Sequence, residues 1–365
     1  MTSKRKLNQD GLKDRVVTEI RNRWLNMSNT ELPANPVLSE QHGVVARTAL
    51  DAMLTRRFRV TKLPDAEEYD LLLDRVTHWV SRNEPIRITL GYAPMKNQNA
   101  VDYSHCDWSE FFALCHLAAW NRKVQAVYSP GLTVRLVFDD SSVLLANGTA
   151  RSYMDEYIQS VRKLIRAMRY ERLIVGIVRH SSFSWLFRFG LLQLARRKVR
   201  QWEQQPENQQ QIQTMAEYAR RNLLAPSQLG VEDETTRCLE ASHRYRVYFE
   251  ALRMSGVTRI GKNIVAMYMD GAQHHVPFRP ALHLATLHKE MVTQPWQGAG
   301  ALQDNGRGRL VPYVMTASRL GKYASENVQL PELVGLPGFH QIQVVDESRS
   351  GHTGDAESVS PQKAA

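Results

Sequence analysis

Apolar residues recur at helical spacing in several stretches of the chain. This periodicity predicts helices over residues 14–27, 67–80, 107–121, 151–170 and 238–255, and a mostly polar helical stretch rich in Arg and Gln over 186–225. Shorter apolar runs bounded by turn residues predict strands over 86–93, 132–138 and 172–178. The last run, RLIVGIV, is apolar at both alternating sets of positions, which predicts a central strand.

The alternation of helices and strands predicts an α/β fold, with a Rossmann-like, largely parallel sheet flanked by helices. In such sheets ligands bind beyond the carboxyl ends of the strands. Those ends carry residues 91–99, Asp139-Asp140 and Arg179-His180. Short strands and loops over 257–296 predict a smaller C-terminal α+β lobe.

The pattern divides the chain into five parts. We expect a flexible N-terminus over 1–15, an α/β catalytic lobe over 16–185, a helical connection or cap over 186–256, a second lobe that completes the site over 257–346, and a disordered tail over 347–365. The tail, ESRSGHTGDAESVSPQKAA, is rich in Ser, Gly and Asp and has no apolar periodicity.

Composition narrows the class of protein. A chain of 365 residues that is 43% hydrophobic and 23% charged is globular, not collagen-like or disordered. The sequence shows no apolar run of membrane-spanning length and no secretory signal. Three cysteines without a CxxC indicate a reducing compartment, so we expect a cytoplasmic protein. The net charge of +10 suits nucleic acid, a phosphorylated small molecule or simply a soluble surface, but the arginines are dispersed, which disfavours nucleic acid.

The loop GYAPMKNQN, residues 91–99, directly follows a predicted strand. Lys96 supplies an ammonium, and Asn97 and Asn99 supply amides, a combination that suits a phosphate or carboxylate. The glycines of a Walker A loop are missing. The alternative is a surface turn in which Pro94 and the asparagines have only a conformational role.

Asp107 and Glu110 have the spacing of a capping box at the start of the helix over 107–121. A capping role alone accounts for both residues and requires no catalytic function. Proton transfer is the other role that a carboxylate pair can have, and helix N-termini favour anions.

Metal-ligand candidates are weak. The group formed by Cys106, Cys115, His105 and His116 fits no zinc spacing, and we predict no metal. In the C-terminal region His274, His275, His283 and His288 surround Arg279 without an HExxH motif. Such histidines either line a cleft or are structural. The sequence contains no GxSxG motif, which is the pattern that would indicate a serine hydrolase.

Residues 86–165 as a whole resemble the pyoverdine/dityrosine biosynthesis family, which includes the isocyanide (isonitrile) synthases. The resemblance rests on the runs IRITLGYAPMKNQNA, DWSEFFALCHLAAW and VQAVYSPGLTVRLVFDD, and more loosely on RPALHLATLHKEMVTQPWQGAGAL. The matching positions are Pro94, Lys96, Asn99, Asp107, Glu110, Ala113, Leu114, Tyr128, Pro130, Gly131 and Asp139, followed by His288, Pro295 and Trp296.

Three positions depart from the family's pattern. Asn97 stands for its serine, Asp140 for its glycine and Gln297 for its histidine. These departures keep open a divergent subfamily with altered chemistry.

The resemblance implies an enzyme of secondary metabolism that needs no metal or organic cofactor. Its small-molecule substrates are an amino acid, typically tyrosine or tryptophan, and ribulose 5-phosphate, whose carbonyl carbon becomes the isocyanide carbon on the α-amino nitrogen. Family members often work with an Fe(II)/2-oxoglutarate oxygenase. The oligomeric state stays open.

Pattern and resemblance together assign candidate roles. The candidate catalytic residues are Lys96, Asp107, Glu110 and His288. The candidate substrate-binding residues are Asn97, Asn99, Arg87, Tyr128, Arg279, His283 and Trp296, although Arg87 alternates with apolar neighbours and is equally expected to face solvent.

Two other functions remain as alternatives. A divergent family member could make another N-modified product, such as an N-formyl amino acid. A non-catalytic protein could bind anions or nucleic acid through the helix around Arg196, Arg197, Lys198 and Arg200, for which a solvated helix face is the favoured interpretation.

Overall fold

A computed structural model describes most of the chain. The described residues are 9–25, 38–58, 63–138, 140, 149–182, 185–220, 233–255, 265–268, 281–283, 285–288, 293–304, 309–316, 319, 323 and 325–346. Arg279, Asp139 and the predicted tail over 347–365 lie outside this set. No helix in the described part of the chain is both long and apolar enough to cross a membrane.

Eight helices and nine strands occur in the described ranges. The helices are α1 (Gln9–Leu25), α2 (His42–Met53), α3 (Ala66–Val80), α4 (Trp108–Gln125), α5 (Arg151–Ala167), α6 (Trp185–Glu203), α7 (Gln209–Arg220) and α8 (Glu234–Ser255). The strands are β1 (Ile86–Tyr92), β2 (Leu132–Phe138), β3 (Ile174–Arg179), β4 (Val265–Tyr268), β5 (Ala281–His283), β6 (Gly298–Asp304), β7 (Leu310–Thr316), β8 (Ser325–Gln329) and β9 (Gln341–Asp346).

The first sheet has the order β3-β2-β1-β4-β5, and every neighbouring pair is parallel. Successive strands move outward from β1 to β3, and the chain then returns to the other side of β1 with β4. The strand order therefore reverses between β1 and β4, the position where open α/β sheets form a ligand crevice at their carboxyl edge. The predicted α/β, Rossmann-like class is confirmed.

The second sheet has the order β7-β6-β9-β8 and mixes parallel with antiparallel pairs. Helix α4 packs against strands of both sheets. Fourteen of its 18 residues are buried, because a helix covered on both sides must be apolar around most of its circumference. The run WSEFFALCHLAAW meets that demand and makes α4 the centre of the core.

Three predictions about element positions were wrong. Residues 9–15 belong to α1, where Leu12 is buried, and are not a flexible end. Strand β3 is the edge of the first sheet and not its centre, and Val175 is 53% exposed. Strands β4 and β5 extend the first sheet, so the second sheet begins only at β6 and not with the lobe predicted from residue 257. Helix α2 is not among the predicted helices.

Helices α6, α7 and α8 lie in the region where a helical connection or cap is expected. Both α6 and α7 pack on α8. A small separate core of Ala195, Val199, Val247 and Ala251 joins α6 to α8.

The different burial of two strand side chains predicts unequal costs for their truncation. Leu136→Ala in β2, where the side chain is fully buried, should cost about 2–5 kcal/mol of the free energy of unfolding. Val175→Ala in β3, where the side chain is 53% exposed, should cost about 1 kcal/mol or less. Urea denaturation measures both, and equal losses would contradict this difference in burial.

Candidate functional site

The loop after β1 carries Lys96 into the interior of the protein. The side chain of Lys96 is 0% exposed, although a lysine is almost never fully buried without partners. The next residue, Asn97, donates its backbone N–H to the carbonyl of Trp296 at 2.8 Å. The loop is thereby fixed to the segment that enters β6.

The Lys96 amine lies within hydrogen-bonding distance of five oxygens. They are Asp107 Oδ1 at 2.9 Å, Ser109 Oγ at 2.7 Å, Glu110 Oε2 at 2.9 Å, and the carbonyls of Pro295 at 3.1 Å and Gly298 at 2.9 Å. An ammonium has only three N–H donors. Protein groups therefore occupy all three donors of the Lys96 amine in this structure.

Asp107 is the N-cap of α4, and the predicted capping box is confirmed. Its side chain accepts from the Ser109 N–H at 2.8 Å, while Glu110 accepts from the Asp107 N–H at 2.8 Å. The Asp107 carboxylate also accepts from the Tyr103 hydroxyl and from the Gly300 N–H. The Asp107 carboxylate thus both caps α4 and forms an ion pair with Lys96.

Glu110 is the carboxyl group whose pKa the surroundings of Lys96 raise. It is fully buried, with Oε2 on Lys96 and Oε1 accepting from the Tyr157 hydroxyl at 2.8 Å. Burial raises the pKa of Glu110, the Lys96 charge lowers it and the Asp107 charge raises it, with a result of about 7. A carboxyl group with this pKa can either donate or accept a proton near neutral pH.

The other two ionisable groups, Lys96 and Asp107, stay charged near neutral pH. Burial acts to lower the pKa of Lys96, but the charges of Asp107 and Glu110 outweigh it and raise that pKa. Burial acts to raise the pKa of Asp107, but the charge of Lys96 and the hydrogen bonds from Tyr103 and Ser109 hold it below its ordinary value. Below about pH 7 the cluster therefore contains one ammonium, one carboxylate and one neutral carboxyl group.

Two glycines bring the start of β6 against the cluster. A Cβ on Gly300 would lie 2.1 Å from the Ser109 backbone nitrogen, and one on Gly298 would lie 2.1 Å from the Met315 carbonyl oxygen. Both distances are impossible for a real side chain. Gly300 allows β6 to approach α4 closely enough for its N–H to reach Asp107, and Gly298 allows β6 to approach the neighbouring strand β7.

Two of the predicted substrate-binding residues border the cluster. Asn97 is nearly buried and donates from Nδ2 to Gln297 Oε1 at 3.2 Å. Trp296 is half-buried, and its ring centroid lies 4.7 Å from that of Tyr92. Asn99 is exposed, and its backbone N–H donates to Oδ1 of the Asn97 side chain at 3.0 Å.

Arg87 and Tyr128 lie elsewhere, at the amino-terminal end of β1. Arg87 is exposed, pairs with Glu84 at 3.1 Å and covers the Trp79 ring at 4.3 Å. Tyr128 is buried and donates its hydroxyl to the Glu84 carbonyl at 2.6 Å. Both contacts hold the α3–β1 connection, so the structure places these two residues away from Lys96 and its partners.

The predicted histidines fall beyond β4. His283 is the last residue of β5 and pairs with Tyr268. His288 is half-buried and lies near His116. His116 is on α4, about two helical turns after Glu110. Burial and then the charge of His288 lower the pKa of His116 to about 3.

Five residues of the site were missed from the sequence: Tyr103, Ser109, Tyr157, Gly298 and Gly300. Ser109 lies between Asp107 and Glu110, and only those two positions define a capping box, so the motif did not identify Ser109. The alternate glycines of QGAG were a usable signal for close backbone approach in a strand. Tyr157 shows no signal beyond its position on the apolar face of α5.

No set of three or more His, Cys, Asp or Glu side chains within the described ranges is arranged to hold a metal ion. The cluster around Lys96 has the chemistry of a proton-transfer site, with hydroxyl groups from Tyr103 and Tyr157 on either side of two carboxyls.

Gly300→Ala should cost roughly 1–3 kcal/mol of folding stability or more, because the new methyl group would force β6 away from α4. The matched control is Gly190→Ala in α6, where a Cβ meets nothing within 4 Å. That change should stabilise the helix by about 0.5–1 kcal/mol. Chemical denaturation measures both, and a neutral Gly300→Ala would show that the close approach is absent.

The raised pKa of Glu110 predicts a pH-dependent loss of stability. The folded protein binds more protons than the unfolded chain between the ordinary value of 4.5 and about 7, so the contribution of Glu110 to stability falls as the pH rises through this window. Asp107, whose pKa is lowered, acts in the opposite direction at lower pH. Glu110→Gln should therefore flatten the stability profile between about pH 4.5 and 7. An unchanged slope in unfolding titrations would contradict the assignment.

Comparisons with known proteins agree with this architecture. The chain is similar to the crystal structure of the PvcA protein from Pseudomonas aeruginosa, with a TM-score of 0.64 and 16% sequence identity over 82% of this chain and 99% of that one. At this identity the likeness shows the fold. No curated protein matches the sequence. The family described as pyoverdine/dityrosine biosynthesis protein matches residues 76–276, more than half of the 365 residues and a range that includes the Lys96 cluster. The chain therefore belongs to the pyoverdine/dityrosine biosynthesis family.

Proposed function

We propose that the protein is an isonitrile-synthase-like enzyme. It converts the α-amino group of an amino acid to an isocyanide, with a carbon taken from ribulose 5-phosphate. Family membership supports a biosynthetic role. The observation that carries the proposal is a buried carboxyl group, Glu110, with a pKa of about 7 between an ammonium and a tyrosine hydroxyl.

The proposed reaction needs a group that can exchange protons in both directions. An amine must lose a proton before it attacks the ketone of the sugar phosphate, and the oxygen of the adduct must gain protons to leave as water. General acid–base catalysis is most effective when the pKa lies near the working pH. Glu110 meets this condition, whereas Asp107, with its lowered pKa, remains ionised.

Lys96 has a supporting role in this proposal. Its amine is saturated by protein oxygens, so it balances the carboxylates and fixes their positions. Tyr103 is the half-buried member of the cluster and donates to Asp107. We assign the proton path toward solvent to Tyr103 and the inner path to Tyr157, which donates to Glu110.

One contact favours a second candidate, a family member that makes a different N-modified product such as an N-formyl amino acid. Two of the positions that depart from the family's pattern, Asn97 and Gln297, hydrogen-bond to each other at 3.2 Å. A pair of amides replaces a serine and a histidine there. Because amides do not titrate, this border of the site lacks an acid–base group that the family's pattern contains.

Mass spectrometry with ribulose 5-phosphate labelled at its carbonyl carbon distinguishes these reactions. The purified protein should place the label on the nitrogen of an amino acid, as an isocyanide in the first case and as a formamide or related group in the second. No labelled carbon on any amino-acid nitrogen would exclude both.

Glu110→Gln should lower turnover by about 10²–10⁴-fold, because glutamine cannot exchange protons. The wild-type protein should show a limb near pH 7 in kcat/KM, and the variant should lose it. Glu171→Gln, at an exposed carboxylate, is the matched control and should leave turnover unchanged. A folded Glu110→Gln protein with full activity and the same pH limb would contradict the assignment.

A further inference from the structure

A second ion-pair network lies at the carboxyl edge of the first sheet. Arg179 is the last residue of β3, and Asp140 follows the end of β2. Asp155, on the second turn of α5, completes the network. The sequence places Asp140 and Arg179 at strand ends where ligands bind, yet the Lys96 cluster uses neither of them.

The guanidinium of Arg179 is only partly occupied. Its Nε donates to Asp140 Oδ2 at 2.7 Å, and its Nη1 lies 2.6 Å from Asp155 Oδ1. Its Nη2 is buried and makes no hydrogen bond to any described residue. A buried donor without an acceptor is costly, so this nitrogen is in place for a partner that the described residues do not supply.

The two carboxylates differ in how firmly they are held. Asp140 is 3% exposed and accepts from Arg179, from the Ser181 N–H at 2.9 Å and from the Ser181 hydroxyl. Burial acts to raise the pKa of Asp140, but these hydrogen bonds lower it below its ordinary value. The side chain of Asp155 is 45% exposed overall, while its Oδ1 is buried against Arg179 without hydrogen-bond geometry, so Asp155 holds the guanidinium less firmly than Asp140 does.

We propose that the Nη1–Nη2 edge of Arg179 binds a substrate oxyanion, which takes the place of the Asp155 carboxylate. Asp140 orients the guanidinium from its Nε side and leaves the fork of Nη1 and Nη2 for the two oxygens of a carboxylate or phosphate. Release of Asp155 to solvent keeps the charge count of the network unchanged when a monoanion enters.

This inference rests on the proposed function, whose two substrates each carry such a group: the phosphate of ribulose 5-phosphate and the carboxylate of the amino acid. It also supplies the anion contact that Lys96 cannot provide. Helix α5 links the two regions, because Tyr153 in its first turn donates to the Tyr103 carbonyl at 2.6 Å, and Tyr103 donates to Asp107.

Calorimetric titration of the full chain tests the site without turnover. The probes are ribulose 5-phosphate, phosphate-free ribulose, tyrosine, tryptophan and inorganic phosphate. Arg179→Gln should weaken binding of the relevant anion by about 10–100-fold. Asp155→Asn should tighten it several-fold, because the competing carboxylate is gone. Arg166→Gln, an exposed arginine at the other end of α5, should change nothing.

The pattern of effects identifies the source of the oxyanion. If the substitutions change only the affinity for ribulose 5-phosphate and inorganic phosphate, the bound oxyanion is the phosphate. If they change only the affinity for tyrosine or tryptophan, it is the carboxylate. Asp155→Asn keeps the test valid if Arg179→Gln fails to fold, because Asp155 is half-exposed. Unchanged affinity of every probe in Asp155→Asn, or in a folded Arg179→Gln, would overturn the proposal. Arg179-dependent binding without label transfer would instead contradict only the proposed reaction.

Discussion

The structure depends on the removal of one ammonium and two carboxyl groups from water at the place where three segments of the chain meet. Taking a charge out of water costs several kcal/mol per ion, and only close, well-oriented partners repay it. The Lys96 amine finds such partners in the loop after β1, the start of α4 and the entry to β6. Its position therefore fixes where these segments lie relative to one another.

The local elements were predictable because their signals are local. The capping box at Asp107 and Glu110 follows from side-chain spacing alone, and β2 over Leu132–Phe138 was predicted with its correct bounds. Apart from the helical residues 9–15 and helix α2, the errors concern partners that are distant in sequence. Strand β3 carries the apolar run of a central strand but lies at the edge, and short β4 pairs with β1 across more than 170 residues. No periodicity specifies such a pairing.

The candidate site was predictable to the extent that it lies on the first sheet and α4. Lys96, Asp107 and Glu110 were identified together, and they do meet. The direction in which the Lys96 amine points could not be predicted, since the carbonyls of Pro295 and Gly298 are 199 and 202 residues away in the sequence. Arg87 near the start of β1 and Tyr128 in the turn before β2 lie at the opposite end of the sheet from Lys96, and sequence patterns do not tell which end of a sheet a side chain serves.

The carbonyls that complete the coordination of the amine come from the last quarter of the chain, and this has a consequence for biogenesis. A nascent polypeptide that has released only its first sheet from the ribosome has α4 and its capping carboxylates, but it lacks these two acceptors and the backbone donor of Gly300. The set of contacts around the Lys96 amine can be completed only after the second sheet has docked. Assembly of this site and completion of the tertiary structure are thereby the same event.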